Sequence, residues 1–393
     1  MYERDFVETL VNRIGEPRSF IQIVMGPRQT GKSTAVGQAL ERIGLPRVEH
    51  IFRKADVGNV QMLEDVWVQA RRLAQEQETA IVLSLDEVQE VSQWSSHVKS
   101  LWDEDTREKR DVRVIATGSS SLLLKKGLQE ALTGRFEVIR STHWGFGECI
   151  EAFDYTLSDF LYFGGYPGAA KLRADEGRWF DYMWDSVIEP TLSIDVIEME
   201  DIRRPALMRA LFELGAAYSS QELSYRKILG QFDDKGNTAT IASYLSHLSN
   251  AGLVSGLQKY SDKLIETKSS SPRLLAHDTS LMVAASAQDR SMLLSDPAKK
   301  GRLVETAVGA YLLARAQKEH FDVYWWRESN KEVDFVVRKG TKRSAIEVKS
   351  GRVKRRGGLA AFLDQYPGTY CLTVGSEDCP LEAFLLGEVP VFQ

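Results

Sequence analysis

Apolar runs of strand length alternate with amphipathic segments along the first third of the chain. FIQIVM (Phe20 to Met25), VEHIF (Val48 to Phe52), AIVLSL (Ala80 to Leu85), VRVIA (Val112 to Ala116) and FEVI (Phe136 to Ile139) read as buried strands. Between them KSTAVGQALERIG has helical spacing and stops at Gly44, a second helix is predicted from Val60 to Gln77, and a third lies in SLLLKKGLQEAL. Strands alternating with helices predict a doubly wound α/β sheet over residues 1–145, with any ligand at the carboxyl ends of its strands. Beyond residue 145 the period changes. Short aromatic-rich helices surround a glycine turn, FGGYPGAA, which reads as structural because its glycines lack phosphate-loop spacing. PALMRALFELGAAY, SYRKILGQF and NTATIASYLSHLSNAG then read as three helices, the last capped by Asn237 and ended by Gly252, before a strand in LVSGLQKY. That order predicts a winged helix within residues 146–270. In the remainder, 271–393, GRLVETAVGAYLLARA reads as a helix, and DVYWWRESNKEVDFVVRKG and RSAIEVKSGRV as strands of a further α/β domain.

The turn after the first strand carries the clearest chemistry. MGPRQTGKST fits G-x-x-x-x-G-K-[ST] through Gly26, Gly31, Lys32 and Ser33. The glycines let backbone N–H groups face phosphate oxygens, and the helix opening at Lys32 adds the positive end of its dipole. Gly26, Gln29, Thr30, Gly31, Lys32, Ser33 and Thr34 form the expected nucleotide cradle, with Lys32 on the β/γ-phosphates and Ser33 on Mg²⁺. ATP and Mg²⁺ are the implied cofactors. AIVLSLDEVQ ends in two acids, as a nucleotide hydrolase needs on the strand expected beside the phosphate loop. Asp86 would hold Mg²⁺ through water, and Glu87 would polarise the attacking water. Thr117 and Ser119, closing the next strand, are placed to bond the γ-phosphate or that water. Arg135 opens the last strand and reads either as an arginine finger on a neighbouring subunit's nucleotide or as a plain surface charge.

Composition narrows the setting. With 43% apolar and 27% charged residues in 393, the chain has cores for two or three domains. No apolar run approaches membrane-spanning length, and MYERDFVETL carries charges where a signal peptide needs an apolar core, so a cytoplasmic protein without a membrane contact is expected. Three scattered cysteines exclude a disulfide framework. The net charge of −5 conceals a basic stretch, Lys331 to Arg356, with ten Lys or Arg against three Asp or Glu.

GPRQTGKST, SLDEVQ, ATGSSSLLL, LTGRFEVIR and HWGFGE resemble, in that order, the AAA-type ATPases of bacteria and archaea that carry a nuclease-like C-terminal domain of undefined function. The resemblance implies an AAA-like fold and an oligomeric active site at a subunit boundary.

The C-terminal segment sets Glu305 on a helix, Asp334 on an apolar strand, and Glu347 and Lys349 two apart on the next, hence on one face. Asp334 and Glu347 can hold Mg²⁺, Glu305 can complete its shell, and Lys349 can activate water or stabilise phosphorane charge. This pattern resembles the PD-(D/E)xK restriction-endonuclease-like superfamily. Arg338, Lys339, Lys342, Arg343, Arg352, Lys354, Arg355 and Arg356 surround it in sequence and suit a phosphate backbone. On the third helix of the winged-helix pattern the outward residues Thr238, Thr240, Ser243 and His247 are candidate readers of a groove, yet no Arg or Lys accompanies them. The expected function is therefore an AAA-like, homo-oligomeric ATPase that binds DNA, branched DNA in particular, and couples ATP to its processing, with a Mg²⁺-dependent nuclease activity in view. The alternative is a nucleotide-switched regulator whose nuclease-like domain only binds DNA or a partner.

Overall fold

The computed structural model describes residues 2–53, 60–118, 131–198, 202–230, 237–262, 270–351 and 357–393. They divide between Thr142 and His143 into two compact units. In the first, β1 (Ile21–Met25), β2 (Arg47–Ile51), β3 (Ile81–Asp86), β4 (Val112–Thr117) and β5 (Phe136–Arg140) form a sheet in the order β2-β3-β4-β1-β5. Every pairing in it is parallel. Helices α1 (Asp5–Gly15) and α2 (Lys32–Ile43) cover one face, packing Leu10, Val36 and Leu40 on Val24, Val82 and Ile115. On the other, α3 (Val60–Gln77) and α4 (Trp94–Arg107) bury Trp67, Val98 and Trp102 on Ile23, Leu83 and Val114. Cover on both faces is why these strands read as unbroken apolar runs rather than alternating ones.

One expectation is corrected here. The strand carrying Asp86 and Glu87 is not beside the strand that feeds the phosphate loop, because β4 stands between β1 and β3. Strand order follows from how each crossover helix packs on the sheet, which no local pattern records. Ser119, the GSSS turn beyond Gly118, and the segment SLLLKKGLQE lie outside the described residues.

In the second unit, α5 (Pro205–Ala217), α6 (Tyr225–Gly230) and α7 (Thr238–Asn250) occur in the expected order, and the Asn237 side chain accepts from the Thr240 amide at the start of α7. They accompany an antiparallel sheet, β6-β8-β7, made of β6 (Gln221–Glu222), β7 (Val254–Leu257) and β8 (Arg273–Ala276). β6 and β7, before residue 270, both pair with a strand that follows it. β8 lies beyond it, yet is the central strand of the helical region's sheet.

The C-terminal segment follows. β9 (Asp322–Glu328), β10 (Lys331–Lys339) and β11 (Lys342–Val348) form an antiparallel meander, and β12 (Tyr370–Val374) joins β11 in parallel. Helix α8 (Pro297–Glu319) packs Val304, Val308 and Leu312 against Phe335, Val337 and Ile346. On the opposite side α9 (Gly357–Gln365) packs Leu359 and Phe362 against Val333, Val336 and Ala345. Among the described residues no helix is long and apolar enough to cross a membrane.

Candidate functional site

The phosphate loop is shaped by two glycines with different duties. Gly31 holds φ 84, the left-handed region, and caps α2. At Gly26 the constraint is space, because a Cβ would lie 1.8 Å from the Ser141 carbonyl oxygen. Lys32 is buried and donates from Nζ to the carbonyls of Gly26 (3.0 Å) and Pro27 (2.7 Å). Gln29, Ser33 and Thr34 are exposed around it, whereas Thr30 is fully buried.

Register brings the other groups level with this loop. Val24 pairs with Thr117 across β1 and β4, and Leu85 with Ala116 across β3 and β4. The phosphate loop, Thr117 and Asp86 thus follow one another along the carboxyl edge, Asp86 two strand spacings, about 10 Å, from β1. The Thr117 hydroxyl and the Glu87 amide both donate to Asp86 Oδ1, the latter at 3.0 Å. Glu87 itself adopts φ 53, ψ 35, a left-handed conformation unusual for a residue with a side chain, and Gln89 Nε2 donates to its Oε2 at 2.5 Å. Hydroxyl and carboxylate oxygens of this kind, Ser33 and Asp86, are the hard donors Mg²⁺ takes, so the residues fit that ion.

Three contributors had no sequence signal. Gln89 steers Glu87, Ser141 closes on Gly26, and Arg4, 3% exposed, ties the loop to the end of β5. Arg4 Nη1 lies within hydrogen-bond reach of Thr30 O (3.2 Å), Ser141 Oγ (3.0 Å) and Thr142 O (2.9 Å). Such contacts span 26 to 138 positions, beyond any local motif. Arg135 is placed elsewhere. Its carbonyl accepts from the Ile21 amide at the amino edge of the sheet, opposite its own chain's phosphate loop, and its guanidinium grips Asp103 through two bonds of 2.6 and 3.0 Å.

In the C-terminal segment Glu305 on α8 and Asp334 on β10 are brought together, and Arg273 from β8 stands between them. Its Nη2 is 3.2 Å from Glu305 Oε2 and 3.5 Å from Asp334 Oδ1. Asp334 Oδ2 accepts from the Val348 amide at 2.7 Å, while Glu347 is held by Lys349 at 2.7 Å. Burial, reinforced by the Asp334 carboxylate, pushes Glu305 up to about 8, with Arg273 pulling the other way. Burial likewise raises Asp334 above the ordinary range.

The expected Mg²⁺ shell of Asp334, Glu347 and Glu305 is not assembled. Among the described residues no three His, Cys, Asp or Glu side chains are grouped as a metal ion requires. The basic residues are redistributed too. Arg338–Arg343 and Lys339–Lys342 pair at the closed end of the β10–β11 hairpin, about 10 and 13 Å along the strands from Phe335–Ile346. Arg343 is spent on Tyr260 OH (2.7 Å) and the Tyr366 ring, leaving Lys339 and Lys342 exposed. Arg352, Lys354, Arg355 and Arg356 lie outside the described residues.

Residues 18–150 match the family model described as an AAA domain. This part of the chain is an AAA-type P-loop ATPase domain, nucleotide-binding by its loop. Two domains of unknown function match the rest, DUF8612 over 154–291 and DUF4143 over 300–387, so the family break falls after β8 rather than before it. An uncharacterized protein of Methanocaldococcus jannaschii is 26% identical over 274 residues, a match covering 65% of this chain and 58% of that relative's length. Among solved structures, AMPPCP-bound DnaA from Aquifex aeolicus is similar at TM-score 0.32 and 12% identity, over 63% of this chain and 87% of that one. The ORC2 protein of Aeropyrum pernix, in ADPNP-ADP complexes, is similar at TM-score 0.32 and 14% identity, over 77% and 93%.

Proposed function

We propose that the chain couples ATP binding and hydrolysis in its N-terminal domain to engagement of DNA by its second unit, branched duplexes being the favoured class, and that it acts as a homo-oligomer. The observation carrying the first half is the row at the carboxyl edge of the sheet, where Lys32, Thr117, Asp86 and Glu87 follow one another across three strands. Phosphoryl transfer is mostly positioning and charge neutralisation. Lys32 binds the β/γ-phosphates, for which it exchanges its loop carbonyls, and Glu87, steered by Gln89, orients the attacking water. Mg²⁺, which Ser33 and Asp86 would hold, supplies neutralisation of phosphate charge.

Support for the DNA half is the order α5, β6, α6, α7, β7, β8, that of a winged helix, with Arg226 and Lys227 exposed on α6 beside the uncharged outer face of α7. A face without Arg or Lys favours recognition of duplex shape and backbone over base reading. The PD-(D/E)xK-like reading is supported by Glu305 on a helix and Asp334 and Glu347 on neighbouring strands. The non-catalytic version is favoured by Arg273, which already occupies the acids.

The test is anisotropy with single strands, duplexes, forks and four-way junctions across a salt series, with and without ATP, alongside ATP turnover. Lys32→Ala should lose nucleotide binding, and Glu87→Gln should bind ATP with turnover reduced about 10²-fold or more. Neutralising Arg352, Lys354, Arg355 and Arg356 together should lower the salt slope by up to about 0.9 for each phosphate no longer neutralised. Wild-type turnover by Glu87→Gln would sink the ATPase assignment of that residue. Absence of salt-dependent affinity for every DNA would sink the nucleic-acid half.

A further inference from the structure

The geometry around Arg273 is that of a built cation site whose cation is covalently part of the chain. Its side chain is 5% exposed, and five oxygens lie within 3.5 Å of its nitrogens, as many as a guanidinium has N–H groups. Nε donates to Ser220 O at 3.1 Å, Nη1 to Asp334 O at 3.2 Å and Glu332 Oε1 at 3.1 Å. Nη2 meets Glu305 Oε2 and Asp334 Oδ1 at 3.2 and 3.5 Å. A guanidinium does not lose its proton in a protein, so this charge is permanent.

Four of the six carboxylate oxygens of Asp334, Glu305 and Glu347 are engaged by groups of the chain itself. Asp334 Oδ2 takes the Val348 amide, its Oδ1 and Glu305 Oε2 take Arg273, and Glu347 Oε1 takes Lys349. Only Glu347 Oε2 is buried without a hydrogen-bond partner among the described residues of this group. Mg²⁺ demands near-octahedral oxygen coordination at about 2.1 Å, and an ion using Glu305 Oε2 and Asp334 Oδ1 together would have to displace Arg273. Arg273 also comes from β8, in the segment 154–291, whereas Glu305, Glu332 and Asp334 belong to the segment 300–387.

From this we infer that Arg273 is the resident cation of the Glu305–Asp334 cluster: it takes the place of a divalent ion, joins the two C-terminal segments, and leaves the chain without a metal-dependent phosphodiester-cleaving centre at these residues. The inference does not depend on DNA binding, since its readout needs neither nucleic acid nor nucleotide.

The experiment titrates nucleotide-free full-length chain with Mn²⁺, following free Mn²⁺ by electron paramagnetic resonance and the midpoint of thermal unfolding in parallel. An Asp86→Asn background silences the N-terminal site. Adding Asp334→Asn should leave the bound Mn²⁺ unchanged, while Arg273→Met should gain about one Mn²⁺ per chain that Asp334→Asn then removes. Loss of a bound Mn²⁺ from the Arg273-containing chain on Asp334→Asn overturns the inference, as does an Arg273→Met chain that folds and gains none. If Arg273→Met does not fold, Arg273→Lys is read instead, its ammonium offering three donors for five acceptors. An Asp334-dependent rise in its unfolding midpoint with Mn²⁺, absent in the Arg273 chain, supports the assignment. No rise, or the same rise in both, overturns it.

Discussion

A single carboxylate oxygen organises much of the nucleotide site. Asp86 Oδ1 accepts from Thr117 and from the Glu87 amide, and Glu87 adopts a left-handed conformation costing about 1–3 kcal/mol that the surrounding structure must hold. In the second unit Glu305 offers a test in which pH does the work. Its folded value, about 8 against an ordinary 4.5, means the folded chain binds this proton more tightly than the unfolded one. Between those values stability therefore falls as pH rises. Asp334, Arg273, Glu332 and Lys349 face the same group, and of these Asp334 and Glu332 raise it while the two cations lower it. Wild type should lose unfolding midpoint from pH 5 to pH 8 by several degrees more than Glu305→Gln does. Equal losses in both chains would show that Glu305 is not the group responsible.

Among the elements, the FGGYPGAA turn shows why two glycines stand together. Gly164 has φ 65, ψ −161, and a Cβ there would meet Asp278 Oδ1 at 1.8 Å. At Gly165 a Cβ would come 2.2 Å from the Trp144 carbonyl, while its amide donates to Asp278 Oδ2 at 2.8 Å. Asp278, fully enclosed and raised to about 6 by burial, depends on that close approach for its hydrogen bonds. Gly164→Ala should cost about 3 kcal/mol or more, combining backbone strain with displacement of a buried carboxylate. Gly177→Ala, in the exposed first turn of the helix Glu176–Tyr182 with nothing nearer than 3.5 Å, should be neutral or stabilise by up to about 1 kcal/mol. Denaturant midpoints of the two variants decide it, and similar values would remove the steric argument.

At the scale of the whole molecule the question is assembly. Arg135 lies at the edge of the sheet opposite its own chain's phosphate loop, so it can serve a nucleotide only on another subunit, and it must exchange Asp103 to do so. Arg135→Ala should then bind ATP normally, hydrolyse it at least tenfold more slowly, and depress turnover more than proportionally when mixed with wild type. Turnover that falls only in proportion to the admixed variant would leave Arg135 as Asp103's partner and nothing more.

Local structure was legible wherever it was compressed into a few residues. The phosphate loop, the Asp86–Glu87 strand end, the Asn237 cap and the helix Val60–Gln77 each depend on spacing within one element, so the linear pattern sufficed for them. Helix, strand and E-x-K placements in the C-terminal segment were legible for the same reason. What required the tertiary structure was everything that joins distant segments. β4 enters between β1 and β3, β8 pairs with β6 and β7 from beyond residue 270, and the basic hairpin end stands apart from Asp334. Arg4 reaches across 137 positions to Ser141, and Arg273 across 32 to Glu305 and 61 to the Asp334 carbonyl. Residue type and spacing reveal which side chains are able to hold a charge. Only the packed chain decides which opposite charge arrives, because burial makes that pairing obligatory while leaving no periodic trace in the sequence.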